Sequence, residues 1–314
     1  MSGLRPTRPE APSGRQFELT AGRQRAVIVE VGGGLREYAV DGQPVLDGYA
    51  ADAMADGGRG QPLLPWPNRL ADGQYEFDGQ RLQLPIEEVS RHNAIHGLTR
   101  WLNWNATPHG EDRLQMHTVV HPRPGYPFTL ELTLDYALTD AGLAVRTTAR
   151  NIGVQALPFG AGQHPYFTVG TPVVDTAVLR VPADARVELD SDRRVPTGAL
   201  LDVTNSEFDF REPRSIGALV LDECFTSLWQ NAAGQAAVIL SDPTTGQSVT
   251  VWMDKHYKYV QLFSGDTLSP ERRRRGLAIE PMTCPPNAFR TATDLIVLQP
   301  DTAVILEWGI APSR

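Results

Sequence analysis

The chain has 314 residues, a formal charge of −8 and a pI near 5.4. That length suits one large domain or two ordinary ones, and the charge balance provides no general attraction for DNA, RNA or anionic membranes. No segment offers the roughly 18 consecutive apolar residues of a membrane span, and the opening MSGLRPTRPEAPSGRQ lacks the apolar stretch of a secretory signal. The expectation is a soluble, cytoplasmic protein without nucleic-acid or membrane partners; its oligomeric state is not legible. Cys224 and Cys284 have no CxxC spacing, so neither a disulfide framework nor a zinc knuckle is expected, only two core thiols.

Taken in chain order, residues 1–16 predict a flexible tail and 17–314 a single domain, because no Pro/Gly/Ser-rich linker and no internal repeat divides the remainder. VGGGL at 31–35 joins two strands and lacks a phosphate-cradling glycine pattern. QYEFDGQRLQLP predicts a hairpin turning at Asp78-Gly79. In the next hairpin Leu130, Leu132, Leu134 and Tyr136 alternate with polar residues, and after a TDAG turn Leu143, Val145, Thr147 and Ala149 continue the period of two. AAVILSDPTTGQSVTVWMD predicts a third hairpin, and TAVILEWGI a closing strand. ERRRRG at 271–276 is expected to be a solvated surface turn rather than a nucleic-acid patch. With 28 Gly and 25 Pro as turn punctuation and few helix-length amphipathic stretches, the fold class is all-β, a large antiparallel β-sandwich.

Several polar residues interrupt this pattern. PLLPWPNRLADG presents Asn68 and Arg69 after a stiff Pro-Trp-Pro segment, and an Arg there serves either as a donor fork for hydroxyls or a carboxylate, or as a plain surface residue. His96 in NAIHGL and His164 in LPFGAGQHPYF sit among apolar, aromatic and Gly residues; such a His is either a satisfied core residue or a proton-transfer group titrating near neutrality. Asp222 in LVLDECF and Glu280 in GLAIEPM are acids in apolar runs. Each is either a solvent-facing residue at a strand end or a carboxylate whose desolvation is compensated or used.

Cofactor chemistry finds less support. His92 and His96 have the i, i+4 spacing of a helical metal pair, but HNAIH has Asn where a zincin carries Glu and leads into a Gly in a β-rich chain. No Ser lies in a G-x-S-x-G elbow, and neither Cys has a neighbouring His. Glu/His acid–base chemistry without metal or cofactor is what the residues favour.

PNRLADGQYEFDGQRLQLP, NAIHGLTRWLNW, QHPYF and IEPMTCPPNAF, in this order, resemble the aldose 1-epimerases, the galactose mutarotase-like family. The resemblance implies a large sandwich that binds a free sugar in an open cleft. It makes Glu280 the general base at the C1 hydroxyl and His164 the general acid at the ring oxygen, with His96 near that oxygen and Arg69 and Asp222 on sugar hydroxyls; Asn68 and Gln163 join the binding group. Gln163 stands where many members have Asn, and EPMTCPPNAF departs from their E-x-Q-x-x-P-D-A-x-N pattern, which affects sugar preference rather than the acid–base pair.

The chemistry fits these residue types on its own terms. Opening a pyranose hemiacetal removes a proton from the C1 hydroxyl and adds one to the ring oxygen; rotation about C1–C2 and reclosure then invert the anomer. A bell-shaped pH profile follows, with Glu280 expected on the acid limb and His164 on the alkaline limb. Two alternatives stay open: mutarotation of a phosphorylated or sulfonated sugar, which would bring Arg100, Lys255 or Lys258 to the cleft beside Arg69, and a carbohydrate-binding module without catalysis.

Overall fold

Along Leu130–Thr139 buried and half-exposed side chains alternate without a break, and its partner Gly142–Asn151 pairs with it in antiparallel register. This hairpin lies inside a nine-stranded sheet. The closing strand Ala303–Ser313 joins it to the hairpin formed by Ala236–Ser241 and Ser248–Met253. An eight-stranded sheet contains Asp222–Leu228, Tyr259–Phe263 and Leu277–Met282 as consecutive neighbours. Leu132 and Leu134 of the first sheet and Leu262, Leu277 and Ile279 of the second belong to one hydrophobic cluster, the filling of the sandwich. The hairpin at Asp78-Gly79 forms between Gln74–Phe77 and Gln80–Gln83. Ala288–Thr291 is the only α-helix among the described residues.

This computed structural model describes residues 11–313. Within the expected tail, Ser13 is buried, the Arg15 amide donates to Glu30 at 2.9 Å, and Gln16 opens the first strand; residues 1–10 lie outside the described part. Packing against Glu30, far off in sequence, thus extends the ordered chain toward the N-terminus. Among the described residues no helix is long and apolar enough to cross a membrane. Cys224 and Cys284 are both buried and free, and burial pushes the Cys284 thiol up to about 12.

The arginine-rich segment forms a turn with Glu271, Arg273 and Arg275 exposed, as expected, while Arg272 and Arg274 are partly buried. Arg274 donates to Asp175 at 2.7 Å, to Asp266 at 2.8 Å and to the Gly217 carbonyl at 2.7 Å, while Arg272 and Arg275 both face Asp47. Part of the turn is thus tied to the protein, because Asp47 and Asp175, distant in sequence, and the nearby Asp266 converge on it.

Candidate active site

Leu277–Met282 is buried at all six positions, and alternation divides them between two environments. Leu277 and Ile279 enter the core. Glu280 points the other way, beside Gln261 and Cys224, which stand opposite one another along the same row of the ladder. On its far side the strand pairs with Gly162 through Met282 and with Tyr166 through Ala278. Both registers place His164 opposite Glu280, in the gap between the two short pairings. His164 Nε2 consequently lies 3.4 Å from Glu280 Oε1, with both side chains almost wholly buried.

A second short ladder brings in His96. Arg69 pairs with Ile95, and one step further Asn68 faces His96, both with positive φ. The Asn68 amide donates to His96 Nδ1 at 3.3 Å, which leaves the imidazole proton on Nε2. Gly97 is required here: at its φ of +75° any Cβ would lie 2.1 Å from the Leu64 carbonyl oxygen. The His96 and His164 rings meet edge to face at 5.2 Å.

These groups line a cavity of about 700 Å³. Six of the seven expected residues, Asn68, Arg69, His96, His164, Asp222 and Glu280, lie on its wall. Gln163 does not; it is buried in the ladder opposite Pro62, with its Nε2 unpartnered. His92, the other half of the i, i+4 pair, is at the surface 3.0 Å from Asp72.

Arg69 is not a free donor fork. Its Nε donates to both oxygens of Glu88 at 3.0 and 3.1 Å, and its Nη1 lies 3.7 Å from Asp222. Asp222 also accepts from Gln261 Nε2 at 2.7 Å and faces Arg194 Nε at 3.4 Å. Glu88, Arg194 and Gln261 escape a reading of the sequence. Gln261 alone carried a signal, a polar residue in the apolar YVQLF, of the same kind as Glu280 in LAIEPM; EEVS and SDRRVP resemble ordinary surface turns. Arg91 and Arg100 also reach the cavity wall, whereas Lys255 and Lys258 do not, Lys258 pairing instead with Asp294.

Burial sets the electrostatics. It is the largest cause raising the Glu280 carboxyl well above the usual carboxylate range, with Asp222 adding to it and Arg69 opposing. It is also the largest cause pushing His164 down to about 3, helped by the charges of Arg59, Arg100 and Arg69. His96 is lowered as well, by burial first and then by His164. This reverses the titration order expected from the sequence: the dry site favours one proton shared by the pair and resting toward Glu280. Glu280 Oε2 and His164 Nδ1 are buried without protein partners, so the site retains hydrogen-bonding capacity for a polyhydroxyl ligand.

A family model described as aldose 1-epimerase matches residues 15–305. An uncharacterized protein of Escherichia coli K12, YihR, is 35% identical over 291 residues, covering 91% of this chain and 90% of its own. The maltose epimerase of Levilactobacillus brevis is 26% identical over 287 residues, covering 85% and 82%. The solved structure of a GalM/aldose epimerase homologue from C. elegans shares the fold with a TM-score of 0.85 at 18% identity, over 96% of this chain and 99% of its own.

Proposed function

We propose, from the premise that this chain belongs to the aldose 1-epimerase family of carbohydrate isomerases, that it interconverts the α and β anomers of a free aldohexose through Glu280 and His164. The observation that carries this reading is the 3.4 Å approach of these two side chains on one wall of the cavity. Glu280 takes the proton from the C1 hydroxyl as the C1 carbonyl forms. The C1–O5 bond breaks with its electron pair moving to O5, and His164 delivers a proton there. After rotation about C1–C2, the reverse transfers close the ring on the other face and restore both groups. The shared proton, resting toward Glu280 before the sugar enters, first passes across the 3.4 Å gap to His164 Nε2, which leaves Glu280 ionised as the base and His164 charged as the acid. His96 donates from Nε2 toward the ring oxygen, and Asn68, Arg69 and Asp222 orient hydroxyls. Gln163, off the cavity wall, precedes His164 in the chain and pairs with Pro62. Each positioned proton transfer contributes about 10² to 10⁴-fold, enough for a reaction that already proceeds in water.

A second reading of the substrate is favoured by one observation. Arg69 is not the lone cation at the site, since Arg91, Arg100 and Arg194 line the same cavity. An aldose with an anionic substituent, phosphate or sulfonate, would compete with Glu87, Glu88 and Glu223 for these guanidinium groups. Anomer-exchange NMR with glucose, galactose, glucose 6-phosphate and sulfoquinovose tests both readings. Exchange of no sugar above the uncatalysed rate rejects the reaction, and a hundredfold preference in kcat/KM for a charged sugar selects the second reading.

A further inference from the structure

Beside His164 stands a stack of planar groups. The Tyr166 ring lies 5.1 Å from the imidazole at an interplanar angle of 19°, and the Arg59 guanidinium carbon lies 4.1 Å over the Tyr166 ring. The Tyr166 hydroxyl donates to the Gly57 carbonyl at 2.9 Å. Residues 57–61 wrap the imidazole closely. A Cβ on Gly58 would lie 2.7 Å from His164 Cδ2, the Gly60 amide donates to the His164 carbonyl at 2.8 Å, and the His164 amide donates to Gln61 at 3.1 Å.

Arg59 is itself held on several sides. Its Nη1 donates to Asp47 Oδ2 at 2.9 Å and to the Asp47 carbonyl at 2.7 Å, and its Nε to Asp56 at 3.0 Å. The other oxygen of Asp47 faces outward, 3.4 Å from Arg272 Nη1 and 3.2 Å from Arg275 Nη2. The Asp47 amide also donates to the Tyr166 carbonyl at 2.9 Å. Asp47 therefore joins the arginine-rich turn at the surface to the stack beneath His164. Arg59 is buried and lies off the cavity wall, so contact with the sugar does not explain it.

We propose that Arg59 is a positioning residue for the proposed proton transfer, clamping the Tyr166 ring against His164 so that Nε2 keeps its aim, and that Asp47 fastens this clamp to the 271–276 turn. The inference rests on His164 being the proton donor of the preceding section. A cation stacked behind an imidazole also opposes its protonation. Arg59 acts in this sense, with burial as the larger cause and Arg100 and Arg69 adding to it; the other titratable groups around the ring are His96, Tyr166, Glu280 and Asp222. Once the shared proton has passed from Glu280 to His164, Arg59 favours its onward transfer to the ring oxygen.

The experiment compares wild type with Arg59→Met and Asp47→Asn. It reads kcat and KM per folded molecule by anomer exchange, and the His164 ring by long-range 1H–15N NMR. Arg59→Met is expected to lower kcat about tenfold or more with KM within about twofold, since the sugar contacts stay while the donor loses its aim. Its His164 ring nitrogens should titrate at higher pH than in wild type. Asp47→Asn, which preserves shape, should produce smaller shifts in the same directions and carries the test if Arg59→Met does not fold. A role confined to stability would lower Tm and leave kcat per folded molecule and the His164 signals unchanged, which overturns the proposal. So does a fall in kcat/KM that arises in KM alone. A wild type inactive on every aldose would instead reject the enzymatic reading, while the His164 signals would still report whether the clamp exists.

Discussion

His164 and Glu280 face each other across a gap in one antiparallel ladder, 3.4 Å apart at their nearest polar atoms, and burial drives both toward their neutral forms. If the pair is the acid–base couple proposed above, its active state carries one proton. Activity falls on the acid side when a second proton binds His164, and on the alkaline side when the shared proton leaves Glu280. With His164 pushed down to about 3, the acid limb of kcat/KM is expected well below 6.5, the ordinary imidazole value, and the alkaline limb, set by Glu280, above the usual carboxylate range. A pH profile of kcat/KM checks this; an acid limb centred at 6.5 contradicts it.

Glu280→Gln and His164→Asn should each lower kcat by about 10²-fold or more, because each removes one proton-transfer partner and nearly keeps its shape. Single-turnover anomer exchange on variants shown to be folded by circular dichroism provides the measure. Near-normal turnover in either variant assigns the chemistry elsewhere, with His96 next in line at a ring distance of 5.2 Å.

The same Glu280→Gln change is expected to stabilise the protein. A carboxyl whose folded-state value is raised contributes favourably below its unfolded value, 4.5, and that contribution is lost as pH rises through the folded value. The amide does not titrate, so the variant's advantage in Tm should be small in acid and widen with pH, reaching roughly 2 °C or more for about 1 kcal/mol. Differential scanning calorimetry across pH decides it; an advantage that narrows with pH would place the Glu280 carboxyl in a wetter environment than its burial indicates.

Arg194 offers a handle on substrate charge. It reaches the cavity from the turn 190–195 and divides its guanidinium between Asp222 and Glu223. If an anionic substituent is recognised there, Arg194→Ala should weaken KM for a phosphorylated or sulfonated aldose by about tenfold, the size of one charge-assisted contact, and alter that for glucose much less. Equal effects on charged and neutral sugars would assign Arg194 to holding Asp222.

The sequence by itself determined the architecture and singled out the candidate acid–base pair. Period-two alternation at 130–149 and 236–253 specifies paired strands, since side chains on a pleated strand alternate between its faces. Glu280 and His164 stood out because a titratable group in an apolar run must be compensated or used. Tertiary structure alone decided what surrounds them. Glu88 and Arg194 read as ordinary surface charges, and only the folding of distant segments to one cavity makes Glu88 a partner of Arg69 and Arg194 a partner of Asp222. The direction of titration was likewise hidden. A residue type carries its ordinary pKa in the sequence, whereas desolvation depends on every segment packed around it, and here it was strong enough to reverse the order expected for Glu280 and His164.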